Sequence, residues 1–575
     1  MDKPRVLLTA SYGPNELGWG EDMYDLLTSR LARGHGPFQM TSHCHYFGLY
    51  LIAENIKNPT TVLENPHWEE FDRELDEGYD YVGFQLKSLH TKKVAEMMKR
   101  IREKSPGTRI VVGGYGVGTL GNPVPGDTDG DAVYIRDNAD HLCREEGVGF
   151  MRRILGDEPQ DREISQYHLP TTGFSVAGLG ARLRLPIILV SLGCPNACDF
   201  CNTSAFFHHK KIYVAEPEQV YRFIKNYQKR LKYKDLYVLL FDEDIFLNPE
   251  YVRELGRLLR SDKDTWGVRW FSFGSMRSMS QFTPEELRDC GLGAVWIGVE
   301  SFLSGEGTTE DHYAKRKGKE IKEIFEGLHQ NGIVTVGSLV LGFDFHDHEN
   351  LTEDIDRFVD LKPFFYQLSP LTPCPGTPLY ERMEEEGRIK DTYKWEDFTL
   401  WKDDVFELAN FEPGEIKEHF DYAHRQIRDK LGPPPLQFAE NMLDVAQNLK
   451  GYDDDYHKYL CKRAQQLASA SFSYLRGCEL HHHSGEVRER AAELERRYRQ
   501  EVGRPPVVSK ALSYHISNNL RKATEAPPPE VVSDPPPRWT YYNTFDHRVW
   551  VRKGRKQKKP VPYRDWWAFS REKHG

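Results

Sequence analysis

The sequence predicts an α/β protein in three parts: a doubly wound parallel sheet, then a partial (β/α)6 barrel, then a mainly helical C-terminal part. Three observations predict it. Short β-rich runs alternate with helical patterns over residues 1–156, six more such runs follow over 185–400, and beyond 400 the strand-like runs stop. Regular alternation of strand and helix is what a parallel sheet requires, because each return to the same edge crosses over through a helix.

In the first series the runs are RVLLT (Arg5 to Thr9), TTVLEN (Thr60 to Asn65), YDYVGFQ (Tyr79 to Gln85), RIVVGG (Arg109 to Gly114) and DAVYI (Asp131 to Ile135). Between the third and fourth, Val94, Met97, Met98 and Ile101 recur at helical spacing. Five strand candidates in this rhythm suggest a flavodoxin-like sheet, which binds ligands beyond the carboxyl ends of its strands. Those ends carry Tyr12, the segment Leu86 to His90 with Lys87 and Ser88, and the glycine-rich Gly113-Gly114-Tyr115-Gly116-Val117-Gly118. Glycines there let backbone approach a large flat or phosphate-bearing ligand.

Residues 157–184 are polar and rich in Gly and Pro, which reads as a linker. The second series comprises LPIILVSLG, LYVLLFDED, VRWFSFGS, AVWIGVES, VTVGSLVLGF and FFYQLSPLTP; a (β/α) barrel places its chemistry at the carboxyl-terminal mouth. Over 401–575 helical stretches alternate with breaks at Pro433-Pro434-Pro435 and Pro527-Pro528-Pro529, and the tail holds a basic run, Arg552 to Lys559. This part reads as a cover over the barrel mouth, with Tyr393, Trp395 and Trp401 at the junction as candidate lining.

Length and charge narrow the function. The 575 residues are enough for three or four domains, and 77 Lys+Arg against 87 Asp+Glu leave a net charge of −10, so no global basic field draws the chain to nucleic acid. No apolar run is long enough to span a bilayer, and the opening MDKPRVLLTA runs straight into a strand without a signal-peptide pattern, which predicts a cytoplasmic protein.

Nine cysteines are too few for a disulfide framework, and six are scattered; the other three, Cys194, Cys198 and Cys201, are crowded into SLGCPNACDFC directly after the first barrel strand. One loop with CxxxCxxC spacing can wrap three thiolates around one face of an iron–sulfur cubane. Three ligands leave one iron open, which suits an enzyme that binds a small molecule to its cluster better than an electron carrier. Zinc would want a fourth Cys or His nearby, and His208 and His209 fall in a segment that reads as entering a helix.

This loop, with the aromatic Phe200 before its last cysteine, resembles the signature of the radical S-adenosylmethionine (SAM) enzymes, and the resemblance spans about 185–400. It implies that the three cysteines hold a [4Fe-4S] cluster and that the amino and carboxylate groups of SAM chelate the fourth iron. One electron, from a reductase, flavodoxin or ferredoxin, then cleaves SAM to methionine and a 5′-deoxyadenosyl radical, chemistry that must be kept from water. FDEDIF, where the family places a GGE-like contact to the SAM amino group, offers Asp242, Glu243 and Asp244; a solvated acidic turn or a helix cap is the competing reading. Ser272 and Ser275 end the third strand, and Glu300 and Ser301 end the fourth, where the family puts contacts to ribose and carboxylate. Gly337 and Gly342 in VGSLVLGF, and Pro373 in LTPCPGTPLY, match strand ends that bracket adenine.

A flavodoxin-like domain ahead of such a barrel resembles the cobalamin-binding class of this superfamily, in which the corrin lies between the two domains. The matching segments are DYVGFQLKS, VVGGYGVG and HLCREEGVGF. The DxHxxG motif, whose His ligates cobalt, is absent; Ala139 to Arg144 keeps only the His, and His90 and Lys87 are candidates to face the cobalt. The resemblance implies a cobalamin-dependent methyltransferase acting on an unactivated carbon of a small or lipid-like metabolite. The alternatives are radical oxidation, cyclisation or rearrangement without methyl transfer, and a non-enzymatic electron carrier or scaffold.

Overall fold

The computed structural model describes residues 3–11, 40–43, 45–64, 66, 68–121, 123–176, 181–303, 321–397, 406–509, 512–516, 518, 538–543, 548–553 and 561–562. Its strands in chain order are β1 (Val6–Ala10), β2 (Met40–His43), β3 (Thr60–Glu64), β4 (Tyr81–Gln85), β5 (Arg109–Gly113), β6 (His141–Leu142), β7 (Thr171–Val176), β8 (Ala181–Leu189), β9 (Ser191–Leu192) and β10 (Ile212–Tyr213). They continue with β11 (Tyr237–Phe241), β12 (Arg269–Gly274), β13 (Leu292–Glu300), β14 (Val334–Leu341), β15 (Phe365–Pro370), β16 (Arg538–Asn543), β17 (Arg548–Lys553) and β18 (Val561–Pro562).

Two large sheets organise the molecule. In the first, β3-β1-β4-β5-β6 run parallel in the flavodoxin order, and β1 is buried along its whole length, as a parallel strand covered on both faces must be. In the second, β8-β11-β12-β13-β14-β15 run parallel in sequence order, the six strands of a partial barrel. One hydrophobic cluster runs from Leu7 and Phe84 of the first sheet through Ile188 and Trp270 to Phe420 and Leu431 beyond the barrel. The C-terminal helices form their own core around Leu436, Leu475 and Leu494. Among the described residues no helix is long and apolar enough to cross a membrane.

Three expectations are corrected. DAVYI is helical (Asp131–Asn138): Asp127 accepts the backbone N–H groups of Asp131 and Ala132 at 2.9 and 3.0 Å, and this cap overrides the β-prone Val, Tyr and Ile. The fifth parallel strand is β6 instead. The stretch 157–184 carries β7, which pairs antiparallel with both β8 and β2. Strands also return beyond residue 400: β16 pairs antiparallel with β3 and covers an edge of the first sheet, a pairing across more than 470 residues that local patterning cannot reveal.

His329, at the end of the helix Ile321–Gln330, is 7% exposed, and its Nε2 shares a 2.8 Å hydrogen bond with Thr335 on β14. Burial pushes its imidazole down to about 4. Below about pH 6.5 the unfolded chain binds a proton there that the folded chain refuses, so stability falls with pH through the window from 6.5 to 4, by about 3 kcal/mol in total. Urea midpoints measured across this window should fall less steeply for His329→Gln than for the wild type; parallel slopes would remove His329 as the source.

Candidate active site

The three cysteines lie in the loop after β8 and β9, at the carboxyl end of the barrel. Gly193 has φ +77°, and a β-carbon there would stand 2.2 Å from the Lys210 carbonyl oxygen and 2.8 Å from the Phe207 β-carbon, so only glycine lets the loop pass. Ala197 is also left-handed (φ +55°), the Cys201 N–H donates to the Cys198 carbonyl at 3.0 Å, and the Ser204 hydroxyl donates to the Cys194 carbonyl at 2.8 Å. Cys194 and Cys198 are buried and Cys201 is half-buried. His209, left-handed like His208, shares a hydrogen bond with Ser204. Among the described residues no three His, Cys, Asp or Glu side chains converge on one ion; a cubane instead takes its thiolates on separate irons, and three soft donors in one mostly buried loop fit it.

Phe200 packs edge-on against Phe343 at 6.0 Å, tying this loop to the end of β14. Cys374, 8% exposed, has its thiol pushed far up by burial and further by Cys201, which places it beside the cluster loop and keeps it protonated. Pro373 is buried in the same loop after β15. Tyr393 and Trp395 are buried, and neither the hydroxyl nor the indole N–H has a hydrogen-bond partner among the described residues; Trp401 lies outside them.

The three adjacent carboxylates at the end of β11 separate cleanly. Asp242 is fully buried and spent: it pairs with Lys211 at 2.7 Å, accepts from the Ser191 hydroxyl at 2.7 Å and accepts the Asp244 N–H at 2.9 Å. Asp244 accepts from the Ser278 hydroxyl at 2.7 Å and the Asn196 amide at 3.3 Å; burial raises its pKa against these bonds and that of Ser275. Glu243 is half-buried and lies against the Tyr115 hydroxyl, which also meets Thr203. Lys211→Met would take the cation from the buried Asp242, leaving it only the Ser191 hydroxyl and the Asp244 N–H, and should lower stability by about 3 kcal/mol or more in chemical denaturation. A loss under about 1 kcal/mol, the size of an exposed pair, would mean that the Lys211–Asp242 contact does not brace this strand end.

Elsewhere at the mouth the side chains divide between structure and surface. Ser272 is fully buried, and its hydroxyl donates to the Leu240 carbonyl; Ser275 caps the helix Met276–Met279. A β-carbon at Gly337 would meet Phe358 of an outer helix, and one at Gly342 would meet Leu408 and Ile416, so each lies close against its packing neighbours. Glu300 ends β13 half-buried with φ +62°, and Ser301 is fully buried. Residue patterning left one feature unnoticed. Cross-strand register places Phe273, Trp296, Val336 and Phe365 in one row on the inner face, with Phe241 against Phe273 at 5.8 Å, an aromatic floor below the mouth. The alternation in WFSFG could have signalled it.

A cleft of about 190 Å³ opens between the two sheets, walled by Gly48, Gly83, Gly113, Gly114, Gly147 and Phe84 of the first unit and by Phe206 and Phe207 of the barrel. Gly114 (φ +92°) needs glycine, since a β-carbon would sit 2.8 Å from the Leu86 carbonyl oxygen. Tyr115 bridges the units, its ring 5.3 Å from Phe206 and 6.0 Å from Phe207. The Gln85 side-chain oxygen, on the cleft wall, is buried with no partner among the described residues. Lys87 stands over the Tyr46 ring at 4.8 Å, and the Ser88 hydroxyl is 3.5 Å from that of Thr119. The His90 ring is fully buried, and neither nitrogen has a partner among the described residues. Desolvation holds it neutral; the turn Ser88–His90 lies against the turn Trp395–Asp397, and His90 is not among the residues walling the cleft. Tyr12 lies outside the described residues.

With that geometry in view, the sequence comparisons define a class: residues 188–358 match the Radical SAM superfamily, and this segment is a radical SAM domain, whose cofactors are a [4Fe-4S] cluster and SAM. More particular relatives follow. The chain is 26% identical over 241 residues to bacteriochlorophyllide d C-12(1)-methyltransferase of Chlorobaculum tepidum (42% of this chain, 51% of that protein). It is 23% identical over 380 residues to the C-8(2)-methyltransferase of the same organism (61% and 80%). To the anaerobic magnesium-protoporphyrin IX monomethyl ester cyclase of Cereibacter sphaeroides it is 24% identical over 322 residues (52% and 48%). The matched region thus spans about half the length of the first and third of these relatives. Among solved structures, the radical SAM methyltransferase TsrM of Kitasatospora setae, with tryptophan and a SAM analogue bound, aligns at TM-score 0.49 and 13% identity over 81% of this chain and 99% of that one.

Proposed function

We propose that this chain is a cobalamin-dependent radical SAM methyltransferase that methylates an unactivated carbon of a small, largely apolar molecule. The observation that carries the reading is the glycine-walled cleft joined by Tyr115 to a three-cysteine loop at the mouth of a partial barrel. The methyltransferases among the relatives support it. In this reading Cys194, Cys198 and Cys201 hold the cluster, Glu243 accepts from the SAM amino group, and Glu300 receives the ribose hydroxyls. Asp242, Asp244, Ser272, Ser275 and Ser301 support these groups from behind. When bound, SAM and its cluster supply the 5′-deoxyadenosyl radical and cobalamin supplies the methyl group.

The cleft walls fit a corrin in kind: they are mainly apolar and glycine-rich, with Glu145 and Glu146 also on the wall and the buried Gln85 side-chain oxygen available to an amide N–H. A cavity of about 150 Å³ holds a benzene ring, so this cleft takes one ring-sized portion of the cofactor inside it. The aromatic floor excludes water beneath the mouth and favours a flat apolar substrate. We assign residues 1–156 to the cofactor-holding part, 185–400 to the catalytic part and 401–575 to the cover. A reductase, flavodoxin or ferredoxin serves as electron donor, in the reducing cytoplasm.

The similarity to a cyclase favours a second reading, radical cyclisation or oxidation without methyl transfer. Anaerobic reconstitution with SAM, reductant and methylcobalamin, followed by mass spectrometry, separates the two. Methyl transfer yields S-adenosylhomocysteine together with 5′-deoxyadenosine. Formation of 5′-deoxyadenosine alone, with no corrin retained, would overturn the methyltransferase reading.

A further inference from the structure

Glu300 sits in an unusual piece of backbone. It has φ +62°, and the Ser301 N–H donates to the Val299 carbonyl at 2.8 Å, closing a three-residue turn about Glu300. The β13/β14 register shifts at this point, between Gly298 and Glu300. Such a γ-turn with positive φ is strained for any residue with a β-carbon and persists only where its surroundings over-determine it.

Those surroundings are a fully buried polar trio with no solvent access: Ser301, His346 and Asp354, each 0% exposed. The Ser301 hydroxyl donates to the Asp354 carboxylate, which also accepts the Phe302 N–H at 3.1 Å. His346 Nδ1 accepts two backbone N–H groups, from Gly342 at 3.1 Å and Phe343 at 3.2 Å, so its proton is on Nε2. That Nε2 lies 3.2 Å from the Ser301 oxygen and 3.3 Å from Asp354. The trio therefore ties the end of β13, the loop after β14 and the helix His348–Asp360 to one another immediately behind Glu300.

We propose that Ser301, His346 and Asp354 are positioning residues that hold Glu300 in its strained turn and so set its carboxylate for the ribose of SAM. The proposal rests on the assignment of Glu300 above. Burying a carboxyl group and an imidazole to brace a turn that a glycine would form without strain makes sense if the side chain at position 300 must be held in one place.

The test measures binding of radiolabelled SAM to the anaerobically reconstituted full chain by equilibrium dialysis, with Ser301→Ala and His346→Gln each made in the wild-type and in the Glu300→Gln background. In the wild-type background each should weaken SAM binding about tenfold, and in the Glu300→Gln background by less than about twofold, the signature of coupled residues. Equal losses in both backgrounds overturn the positioning role and leave only a structural one. A wild-type protein that binds no SAM would overturn the proposed function itself. Should the trio variants not fold, Glu300→Gly and Glu300→Ala decide in the apoprotein. At a strained turn the Gly variant melts above the Ala variant, whereas the reverse order overturns the proposal.

Discussion

Cys198→Ala should give a folded protein that neither retains a cluster nor cleaves SAM. The loop around Cys198 is held by bonds that do not use its thiol. They are the backbone bond from Cys201 to the Cys198 carbonyl, the Ser204 hydroxyl on the Cys194 carbonyl, and the ion pair between Asp199 and Arg382 at 3.2 Å. Alanine therefore preserves the loop and removes one of three soft donors. The expected loss in 5′-deoxyadenosine formation is well over a hundredfold, since even residues behind metal ligands are worth about 10- to 100-fold. Iron analysis, spectroscopy of the reduced protein and product quantitation check it. A variant with wild-type iron and wild-type SAM cleavage would sink the ligand assignment.

Gly193→Ala is expected to damage the same loop through backbone rather than chemistry. A left-handed conformation costs an L-residue about 1–2 kcal/mol. The overlap with the Lys210 carbonyl and Phe207 adds overpacking strain of about 1–3 kcal/mol. The two together predict a loss of about 3 kcal/mol, and a fall of a few °C in the melting temperature. Because β9 and β10 pair directly beside this glycine, Leu192 with Ile212 and Ser191 with Tyr213, the displacement should also lower the iron bound. An unchanged melting temperature with unchanged iron would show that the loop has room to spare.

Much of the fold is legible in the residues because its signals are short-range. The six barrel strands and the CxxxCxxC loop each announce themselves within a dozen residues. The acidic triplet at the end of β11 does not, since Asp242, Glu243 and Asp244 are neighbours with the same chemistry. What distinguishes them is Lys211, Ser278 and Asn196, which lie 31, 34 and 48 residues away. Likewise DAVYI reads as a strand until Asp127 is seen capping it.

The order of residues by itself determined the two β/α series, the crowding of three thiolates after the first barrel strand and the glycine loop of the first sheet, because periodicity and spacing are properties of adjacent residues. Only the tertiary structure decided which carboxylates are consumed by ion pairs, that Tyr115 of one unit reaches Glu243 of the other, and that the chain's far end returns to β3. Each of these depends on partners distant in sequence, and a partner's identity sets whether a buried charge is a brace or a ligand.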